Sequence, residues 1–421
     1  MQDKLLRSMY YRLWKTRTQR RLHQQQIQKI RCRGQARVVF LAANLPMWRY
    51  DGILKLMMKD SRFLCSIIVH PMKNYSLEET QNNERIFCDY CRSLGVDFHL
   101  STTKDDKKSS LRIMQEADII FYPQPYGDLF GDEFDNIYYR EKLLCYIPYG
   151  VTTFSSEWAF NTALHNQAWR IYSESEFHRK EAQRIATNKG VNVVVVGNPL
   201  ADQFLFPNKI DVWKQQPVQK KRIIWAPHFS IMGGLERNAF LWMAEPMLDV
   251  ARKYANQVQF AFKPHPRLLS TLYSQSDWGK QRADDYYHKW EELPNGQYES
   301  RDYVDLFAKS DAMIHDCGSF AVEYLYTRHP VMFVSDKIEA ALNAVNDFGR
   351  QALLQHYVGS SMADVCLFIE QTVLQGVDPK QEDREQYFQQ YLLPPHKSNV
   401  AENVYNDIVK SIFSDYEDTA H

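Results

Sequence analysis

Residues 310–334, which read SDAMIHDCGSFAVEYLYTRHPVMFV, decide the fold of this chain. Two short apolar runs, at 312–314 and 331–334, are separated by a turn of small residues and a helix-like segment at 320–326. Strand, turn, helix and strand in this order predict a βαβ unit and therefore a parallel sheet. Open sheets of this kind bind ligands beyond the carboxyl ends of their strands, where the turn Cys317-Gly318-Ser319 lies.

The chemistry of this turn suits an anion. Gly318 lets the backbone approach a ligand closely, and Ser319 is expected to cap the helix that follows. The N–H groups at a helix start favour phosphate, and Glu323 lies one turn further along, within reach of whatever the phosphate carries. A buried βαβ unit without a ligand fits the same pattern, with Ser319 serving only as the cap. The pattern leaves both interpretations open.

Length and composition bound the class of protein. A chain of 421 residues is long enough for two domains, each with its own core. Lys and Arg together number 51, and Asp and Glu together also number 51, so no overall positive field points to nucleic acid as a partner. No apolar stretch approaches the roughly 20 residues that a membrane span needs. The seven cysteines lack the spacing of metal ligands, which predicts reduced thiols in a cytosolic protein and no metal site.

Residues 1–34 form a separate basic segment, which we predict to be an amphipathic helix. Its apolar residues recur at helical spacing among many lysines and arginines; they are Leu6, Met9, Tyr10, Leu13 and Trp14. This pattern is typical of a helix that lies on an anionic membrane surface. The alternatives are a helix packed on the protein's own surface and a frayed tail.

The rest of the chain alternates strands and helices in two blocks. The predicted strands are 36–43, 64–69, 118–122, 143–147, 169–173 and 191–196 in the first block, then 222–225, 258–262, 312–314 and 331–334 in the second. A polar stretch with two prolines, 202–219, separates the blocks. We therefore predict an α/β fold with two doubly wound Rossmann-like domains facing each other across a cleft. They comprise residues 35–201 and 202–395, and a closing helix within 396–421 crosses back to the first domain, with Ser398 as its candidate cap.

Two further strand-end loops of the second block carry residues suited to phosphate chemistry. Lys263-Pro264-His265-Pro266 follows one strand, and its prolines hold the backbone extended around His265. A rigid histidine at a strand end can keep one protonation state and reach a phosphate. His228, after another strand, follows the same logic. Alternatively, backbone groups of the turn satisfy the hydrogen-bonding atoms of each ring, and the ring has no functional role. Because all three loops share one edge of the sheet, we expect them to converge.

Taken together, these residues resemble the CDP-glycerol glycerophosphotransferase family, the teichoic-acid primases and polymerases of the GT-B fold. The resemblance covers residues 191–415 best. The family's Asp-Tyr-Ser-Ser segment reads Asp316-Cys317-Gly318-Ser319 here, with Glu323 at its acidic position. Its Arg-x-His-Pro reads as residues 263–266, its Gly-Tyr-Pro-Arg-Asn-Asp as residues 197–202 (GNPLAD), and its Ala-Pro-Thr-aromatic-Arg as residues 226–230 (APHFS).

The departures from the family pattern are specific. The family's Trp-His-Gly, whose histidine is the presumed general base, reads Pro148-Tyr149-Gly150 here. Gly318 stands for the first serine of the pair, and Leu200 and Ser230 stand for two arginines. The chain is therefore identified as a divergent member that keeps the donor-phosphate turn and lacks the acceptor-activating histidine. Tyr149 and His165 are the candidates for that missing base.

The resemblance implies a transferase that moves a glycerol-phosphate or similar polyol-phosphate unit from a CDP-activated donor. The acceptor is a cell-surface glycan or a lipid-linked saccharide, and no metal or other cofactor is required. We expect a cytoplasmic protein, peripheral on the inner face of the cell membrane. Two alternatives stay open, namely a GT-B glycosyltransferase that uses a nucleotide sugar in surface polysaccharide synthesis, and a non-catalytic nucleotide-binding protein.

The resemblance also assigns tasks to residues. The catalytic candidates are His265 and His228. His265, together with Lys263, would offset charge on the departing nucleotide, and His228 would support the phosphates or help with proton transfer. The donor-binding candidates are Lys263, Arg267, Cys317, Gly318, Ser319 and Glu323, the last of which would contact the ribose. Tyr126 and Tyr149, which follow two strands of the first block, are the candidates for contact with the acceptor; the alternative for Tyr126 is a plain proline turn.

Overall fold

The computed structural model describes residues 2–73, 75–126, 130, 132–205, 210–230, 239–300 and 303–414, and for residues 2–16, 46, 132 and 397 it describes the backbone only. The chain divides into two compact units. The first comprises Met1–Asp202 and Pro394–His421, and the second comprises Gln203–Leu393.

Unit 1 contains a seven-stranded parallel sheet. Its strands are β1 (Ala36–Ala42), β2 (Phe63–Val69), β3 (Asp97–Leu100), β4 (Ile119–Tyr122), β5 (Leu143–Tyr146), β6 (Arg170–Ser173) and β7 (Val193–Val195). The strand order β3-β2-β1-β4-β5-β6-β7 reverses direction between β1 and β4, as in doubly wound folds. Every residue of β4 and β5 is buried, because helices cover both faces of the sheet; this explains their unbroken apolar sequences.

Unit 2 contains a six-stranded parallel sheet of the same kind. Its strands are β8 (Lys221–Ala226), β9 (Val258–Phe262), β10 (Gly296–Tyr298), β11 (Ala312–His315), β12 (Val331–Val334) and β13 (Tyr357–Gly359). The order β10-β9-β8-β11-β12-β13 reverses between β8 and β11. An aromatic core fixes the ends of β8 and β9, since the Trp225 and Phe262 rings lie 5.1 Å apart and Trp290 lies 5.5 Å from each.

Helices connect the strands throughout. They are α1 (Gln2–Arg33), α2 (Asp51–Met58), α3 (Leu77–Leu94), α4 (Lys104–Glu116), α5 (Glu157–Phe160), α6 (Ala163–Gln167), α7 (Glu176–Ile185), α8 (Leu200–Leu205), α9 (Ala239–Lys253), α10 (Leu268–Tyr273), α11 (Gly279–Glu292), α12 (Val304–Ala308), α13 (Phe320–Glu323), α14 (Ile338–Ala344), α15 (Asp347–Leu354), α16 (Met362–Leu367), α17 (Gln381–Tyr387) and α18 (Val400–Phe413). Short 3-10 segments lie at Leu45–Met47, Asp132–Phe134, Asn136–Tyr139, Tyr324–Thr327 and Pro395–Lys397, and π-helical turns at Phe368–Leu374 and Phe388–Leu392.

The doubly wound α/β class predicted from the sequence is confirmed. A capping box begins α3. There the Ser76 hydroxyl accepts from the Glu79 N–H, and the Glu79 carboxylate accepts from the Ser76 N–H. Helix α14 ends at Ala344, and Asn346 caps a new helix, α15.

The second half of α1 packs against the rest of unit 1. For that half, this supports the interpretation of a helix packed on the protein's own surface. The Gln26 amide donates to the Asp118 carboxylate over 2.7 Å, and Arg33 pairs with the same carboxylate. Arg31 donates to the Ile412 carbonyl at the end of α18. The membrane prediction rests on the apolar residues within 6–14. The structure describes the backbone of these residues but not their side chains. Among the described residues, no helix is long and apolar enough to cross a membrane.

The start of α18 is held by two side chains of unit 1. The Asp202 carboxylate accepts from the Val400 and Ala401 N–H groups over 2.7 and 3.0 Å. Asn399 is the N-cap and accepts from the Glu402 N–H. Capping by Ser398 is therefore a wrong prediction, since the chain becomes helical one residue later than that cap would require. Asp202 is the last residue of the GNPLAD segment, so the acidic end of that segment anchors the closing helix.

Candidate functional site

The candidate site lies at the carboxyl ends of β8, β9 and β11 in unit 2. The strand order reverses between β8 and β11, and a crevice opens at such a point because the flanking connections run to opposite faces of the sheet. The three loops that leave these strands begin with Pro227, Lys263 and Asp316. Backbone hydrogen bonds join two of them, since the Lys263 N–H donates to the Trp225 carbonyl and the His265 N–H donates to the Pro227 carbonyl.

Three rings from two of these loops form a compact cluster. The His228 and His265 ring centroids lie 5.0 Å apart, and the Phe229 ring lies 4.4 Å from each. The Arg267 guanidinium sits 4.3 Å from the centre of the Phe229 ring, a cation–π contact. The structure thus brings together the two predicted histidines and a predicted donor-binding arginine. The sequence analysis placed Phe229 at the aromatic position of a motif but gave it no contact, because that contact is with a residue 38 positions away in the chain.

The third loop is tied to the first by Asp316 and Cys317. The buried Asp316 carboxylate accepts from the His228 N–H over 2.6 Å. The Cys317 thiol donates to the Ala226 carbonyl over 3.2 Å, and the Cys317 N–H donates to His315. Cys317 is buried, and these two bonds give it the structural task of holding the turn. Donor contact by Cys317 stays a prediction.

The three histidines at the ends of β8, β9 and β11 make the same local hydrogen bond. The backbone N–H two residues further along donates to Nδ1 of His228, His265 and His315, over 3.2, 3.1 and 3.1 Å. Since Nδ1 accepts, a neutral ring carries its proton on Nε2. The expectation that the turn satisfies each ring is therefore correct for Nδ1. The same bond fixes the ring orientation, so that Nε2 is a positioned donor.

His265 is held in its neutral form. Burial, followed by the charges of Arg267 and Lys263, lowers its pKa from 6.5 to about 4. A neutral imidazole beside two cations is a hydrogen-bond donor that binds an anion without bringing a charge of its own. Lys263 itself is only 5% exposed, so its ammonium lies inside the structure at the end of β9, whereas Arg267 is exposed.

The turn after β11 departs from its prediction in one respect. Ser319 occupies the N-cap position of α13, but its hydroxyl makes no capping hydrogen bond, since its backbone is already helical (φ −67°, ψ −40°). The α-helix is only four residues long and continues as a 3-10 turn, so its macrodipole is small. Ser319 is exposed, while Glu323 is only 3% exposed. Phosphate binding by Gly318 and Ser319 and ribose contact by Glu323 stay predictions.

In unit 1 the two predicted acceptor tyrosines lie in the loops after the adjacent strands β4 and β5. Burial, followed by the charge of Tyr149, raises the pKa of Tyr126 to about 12. The Tyr149 side chain is 37% exposed, and its carbonyl accepts from Arg49 over 2.9 Å. Burial also raises the pKa of Tyr149, which makes this phenol a poorer general base at neutral pH. Trp158, whose ring lies 6.3 Å from Tyr126, adds an exposed aromatic surface.

His165, the other candidate base, has a structural task. It belongs to the capping box at the start of α6, where its Nδ1 lies 2.8 Å from the Thr162 hydroxyl. Burial lowers its pKa to about 4.

Sequence reasoning missed a buried carboxylate, Glu174, which lies at the end of β6. Its carboxylate accepts from the Thr152 N–H over 3.0 Å and lies 3.8 Å from the His178 ring. This pair supports the loop that begins at residues 148–150.

No cluster of three His, Cys, Asp or Glu side chains suited to a metal ion occurs among the described residues. The pair Asp284-Asp285 lies on α11, where Asp284 binds Lys280 and Tyr273. The surroundings of this pair are an amphipathic helix with Tyr286 and Trp290 buried on its other face.

Comparison with solved structures shows the fold. The wall teichoic acid polymerase TagF matches over 97% of this chain and 97% of its own, at 13% identity and a TM-score of 0.56. A UDP-N-acetylglucosamine 2-epimerase matches over 90% of this chain and 96% of its own, at 12% identity and a TM-score of 0.58. The Neisseria meningitidis epimerase bound to UDP-GlcNAc matches over 89% and 99%, at 12% identity and a TM-score of 0.54. No family model and no curated protein matches the sequence. The likeness to solved structures establishes an α/β fold of the GT-B kind.

Proposed function

We propose that this protein is a transferase that moves a glycerol-phosphate or similar polyol-phosphate unit from a CDP-activated donor to a cell-surface glycan or lipid-linked acceptor. The observation that carries the proposal is the cluster at the switch point of unit 2. There the His228 and His265 rings lie 5.0 Å apart, with Arg267 and Lys263 beside them. The TagF match supports a transferase, because it extends over 97% of both chains.

In this proposal the donor diphosphate lies against the three strand-end loops. Arg267 and Lys263 supply positive charge, and His265 donates from Nε2 to a phosphate oxygen. An anion at that position raises the pKa of His265, which takes up a proton on Nδ1 in place of the hydrogen bond from the Arg267 N–H. The charged ring can then pass its Nε2 proton to the departing nucleotide phosphate. His228 is held by Asp316 through its backbone and supplies a second donor. Such catalysis is mainly electrostatic, as phosphoryl transfer requires.

Nucleotide-dependent thermal stabilisation tests the donor site, with CDP, UDP, GDP and ADP compared. A ligand at about a hundred times its dissociation constant adds about 2.7 kcal/mol to the free energy of unfolding. We expect CDP to raise the unfolding midpoint of the wild-type protein and of His288→Gln, an exposed change elsewhere in unit 2. His265→Gln and Lys263→Met should reduce the stabilisation. A protein that responds to none of the nucleotides, or variants that respond as the wild type does, would refute the donor site.

A nucleotide-sugar glycosyltransferase is the second candidate, favoured by the match to a protein solved with UDP-GlcNAc. Both candidates use the same loops, and the donor separates them. Turnover of CDP-glycerol without turnover of UDP-sugars supports the first candidate, and the reverse supports the second. Selective nucleotide binding with no turnover of any donor would favour a binding protein, which the missing family histidine also suggests.

A further inference from the structure

Three aromatic rings lie together in the strand-end loops of unit 1. The Trp158 ring lies 6.3 Å from the Tyr126 ring and 6.3 Å from the Phe154 ring. Tyr126 follows β4, whereas the other two belong to the connection between β5 and β6. Tyr126 and Phe154 are half-buried, but Trp158 is 54% exposed. These three residues, the aromatic platform, therefore present one large ring to solvent with two rings supporting it.

Buried side chains hold both loops of the aromatic platform in place. The Gln124 amide accepts from the Tyr126 N–H over 2.6 Å and donates to the Tyr126 carbonyl over 2.7 Å. In the other loop, the Thr152 N–H donates to Glu174 over 3.0 Å, and the Thr152 carbonyl lies 2.9 Å from His178 Nε2. Gln124, Glu174 and His178 are all buried. Because the backbone is fixed on both sides, a ligand would have little ordering left to do.

The charge of these loops is negative. Residues 123–126, 147–160 and 173–176 contain three glutamates and no lysine or arginine. Arg49, from the loop after β1, reaches the same edge of the sheet, where it donates to the Tyr149 carbonyl over 2.9 Å. A chain of polyol phosphates carries one negative charge per unit and would be repelled by such a surface, whereas a neutral ligand would not.

We propose that the aromatic platform binds the acceptor through a neutral sugar ring, which stacks on Trp158. The face of a sugar ring carries C–H groups that pack on an aromatic face, and its rim carries hydroxyls that can bond to the phenols of Tyr126 and Tyr149. A flexible polyol-phosphate chain has no such face. This inference rests on the proposed function and narrows it, since the unit is then transferred to a saccharide and not to the end of a polyol-phosphate chain.

Binding is tested in the full chain without nucleotide, so that the donor site plays no part. The probes are two neutral disaccharides, cellobiose and diacetylchitobiose, and one anionic polyol, glycerol phosphate. Indole N–H signals are followed by NMR, and the signal of Trp158 is the one that Trp158→Phe removes. We expect at least one disaccharide to shift this signal and glycerol phosphate to leave it in place.

Calorimetry then compares substitutions of two exposed aromatic residues. Trp158→Ala should weaken disaccharide binding about tenfold, because a tryptophan at the centre of a binding surface commonly contributes this much. Trp158→Phe keeps a ring and should weaken it less. Tyr138→Ala is the matched control, since its side chain is 59% exposed and lies just before β5, at the opposite edge of the sheet. This control should bind as the wild type does.

The outcomes separate this site from the donor site. A Trp158 signal that neither disaccharide moves overturns the proposal, and so does one that glycerol phosphate moves as strongly. Equal disaccharide affinity of Trp158→Ala and Tyr138→Ala would place the sugar elsewhere and overturn it too. Disaccharide binding by a protein that no nucleotide stabilises would uphold the aromatic platform and refute the proposed transfer. A nucleotide response without disaccharide binding would refute the aromatic platform alone.

Discussion

The donor site predicts that binding of a nucleoside diphosphate is coupled to protonation of His265. In the free protein, burial and the neighbouring cations hold the pKa of this ring at about 4, so the ring is neutral at pH 7. A diphosphate that accepts a hydrogen bond from Nε2 favours the charged imidazolium. The ring should therefore take up a proton on Nδ1 as the nucleotide binds, in exchange for the hydrogen bond from the Arg267 N–H, and binding should tighten as the pH falls.

The size of the rise in the pKa of His265 is worked out for a phosphate charge within hydrogen-bonding range of the ring. A unit charge about 4 Å away contributes about 4 kcal/mol at an effective dielectric constant of about 20. About 1.4 kcal/mol corresponds to one pKa unit, and partial exposure of the ring reduces the full effect. We therefore expect the pKa of His265 to rise from about 4 to about 6 in the complex. At pH 6 the complex then takes up about half a proton more than the free protein does.

Calorimetry of CDP binding at pH 6, in buffers that differ in their ionisation enthalpy, measures this uptake. The nucleotide's own terminal phosphate also titrates near pH 6, so the contribution of the ring is the difference between wild type and His265→Gln. NMR of the ring signals gives the same pKa directly, with the exposed His288 as an internal control. Equal proton uptake in the two proteins, with CDP firmly bound to both, would show that the diphosphate does not contact His265.

Three further predictions concern stability. Asp118→Ala removes the acceptor of Gln26 and Arg33, and we expect a loss of about 3 kcal/mol in urea unfolding together with faster hydrogen exchange in residues 17–33. Asp202→Ala removes both bonds to the start of α18 and should cost about 1–2 kcal/mol in the same assay. Burial lowers the pKa of His165 from 6.5 to about 4, so between these pH values a proton binds this ring only in the unfolded chain. The free energy of unfolding should therefore fall as the pH falls through this range, and it should fall less steeply in His165→Asn.

Each of these changes has a matched control. Glu116→Gln, beside Asp118 in the chain, alters an exposed pair with Arg37 and should change stability by less than about 0.5 kcal/mol. Glu402→Gln serves for Asp202, and His288→Asn serves for His165. If Asp118→Ala or Asp202→Ala is as mild as its control, the anchoring assigned to that carboxylate is refuted. A pH profile that is unchanged in His165→Asn would contradict the sign argument for that ring.

The sequence is a good guide to the buried strands and a poor guide to three of the four edge strands of the sheets. Segments such as 258–262 and 331–334 are apolar throughout because both faces of a parallel strand are covered, and their bounds match β9 and β12. The short strands β3, β10 and β13 lie at the sheet edges. Polar residues interrupt β3 and β10, and β13 has only three residues, so no apolar run marks them. Their position is decided by pairing with a neighbour, which a local pattern does not contain.

The candidate site divides in the same way. The strand-end positions of His228 and His265 follow from the alternation of strands and helices, because loops after parallel strands share one edge. The contact of both rings with Phe229, and the hydrogen bond from the His228 N–H to Asp316, depend on residues far apart in the chain. The capping prediction for Ser319 fails for a related reason, since the chain enters its helical conformation at Ser319 itself.

One departure from the family pattern has a structural counterpart in the site. The family places an arginine directly after the aromatic residue of the first strand-end loop, and this chain has Ser230 there. The Arg267 guanidinium, from the neighbouring loop, lies 4.3 Å above the ring of that same aromatic residue, Phe229. A cation therefore stands beside the aromatic ring although the residue next to it in sequence is neutral.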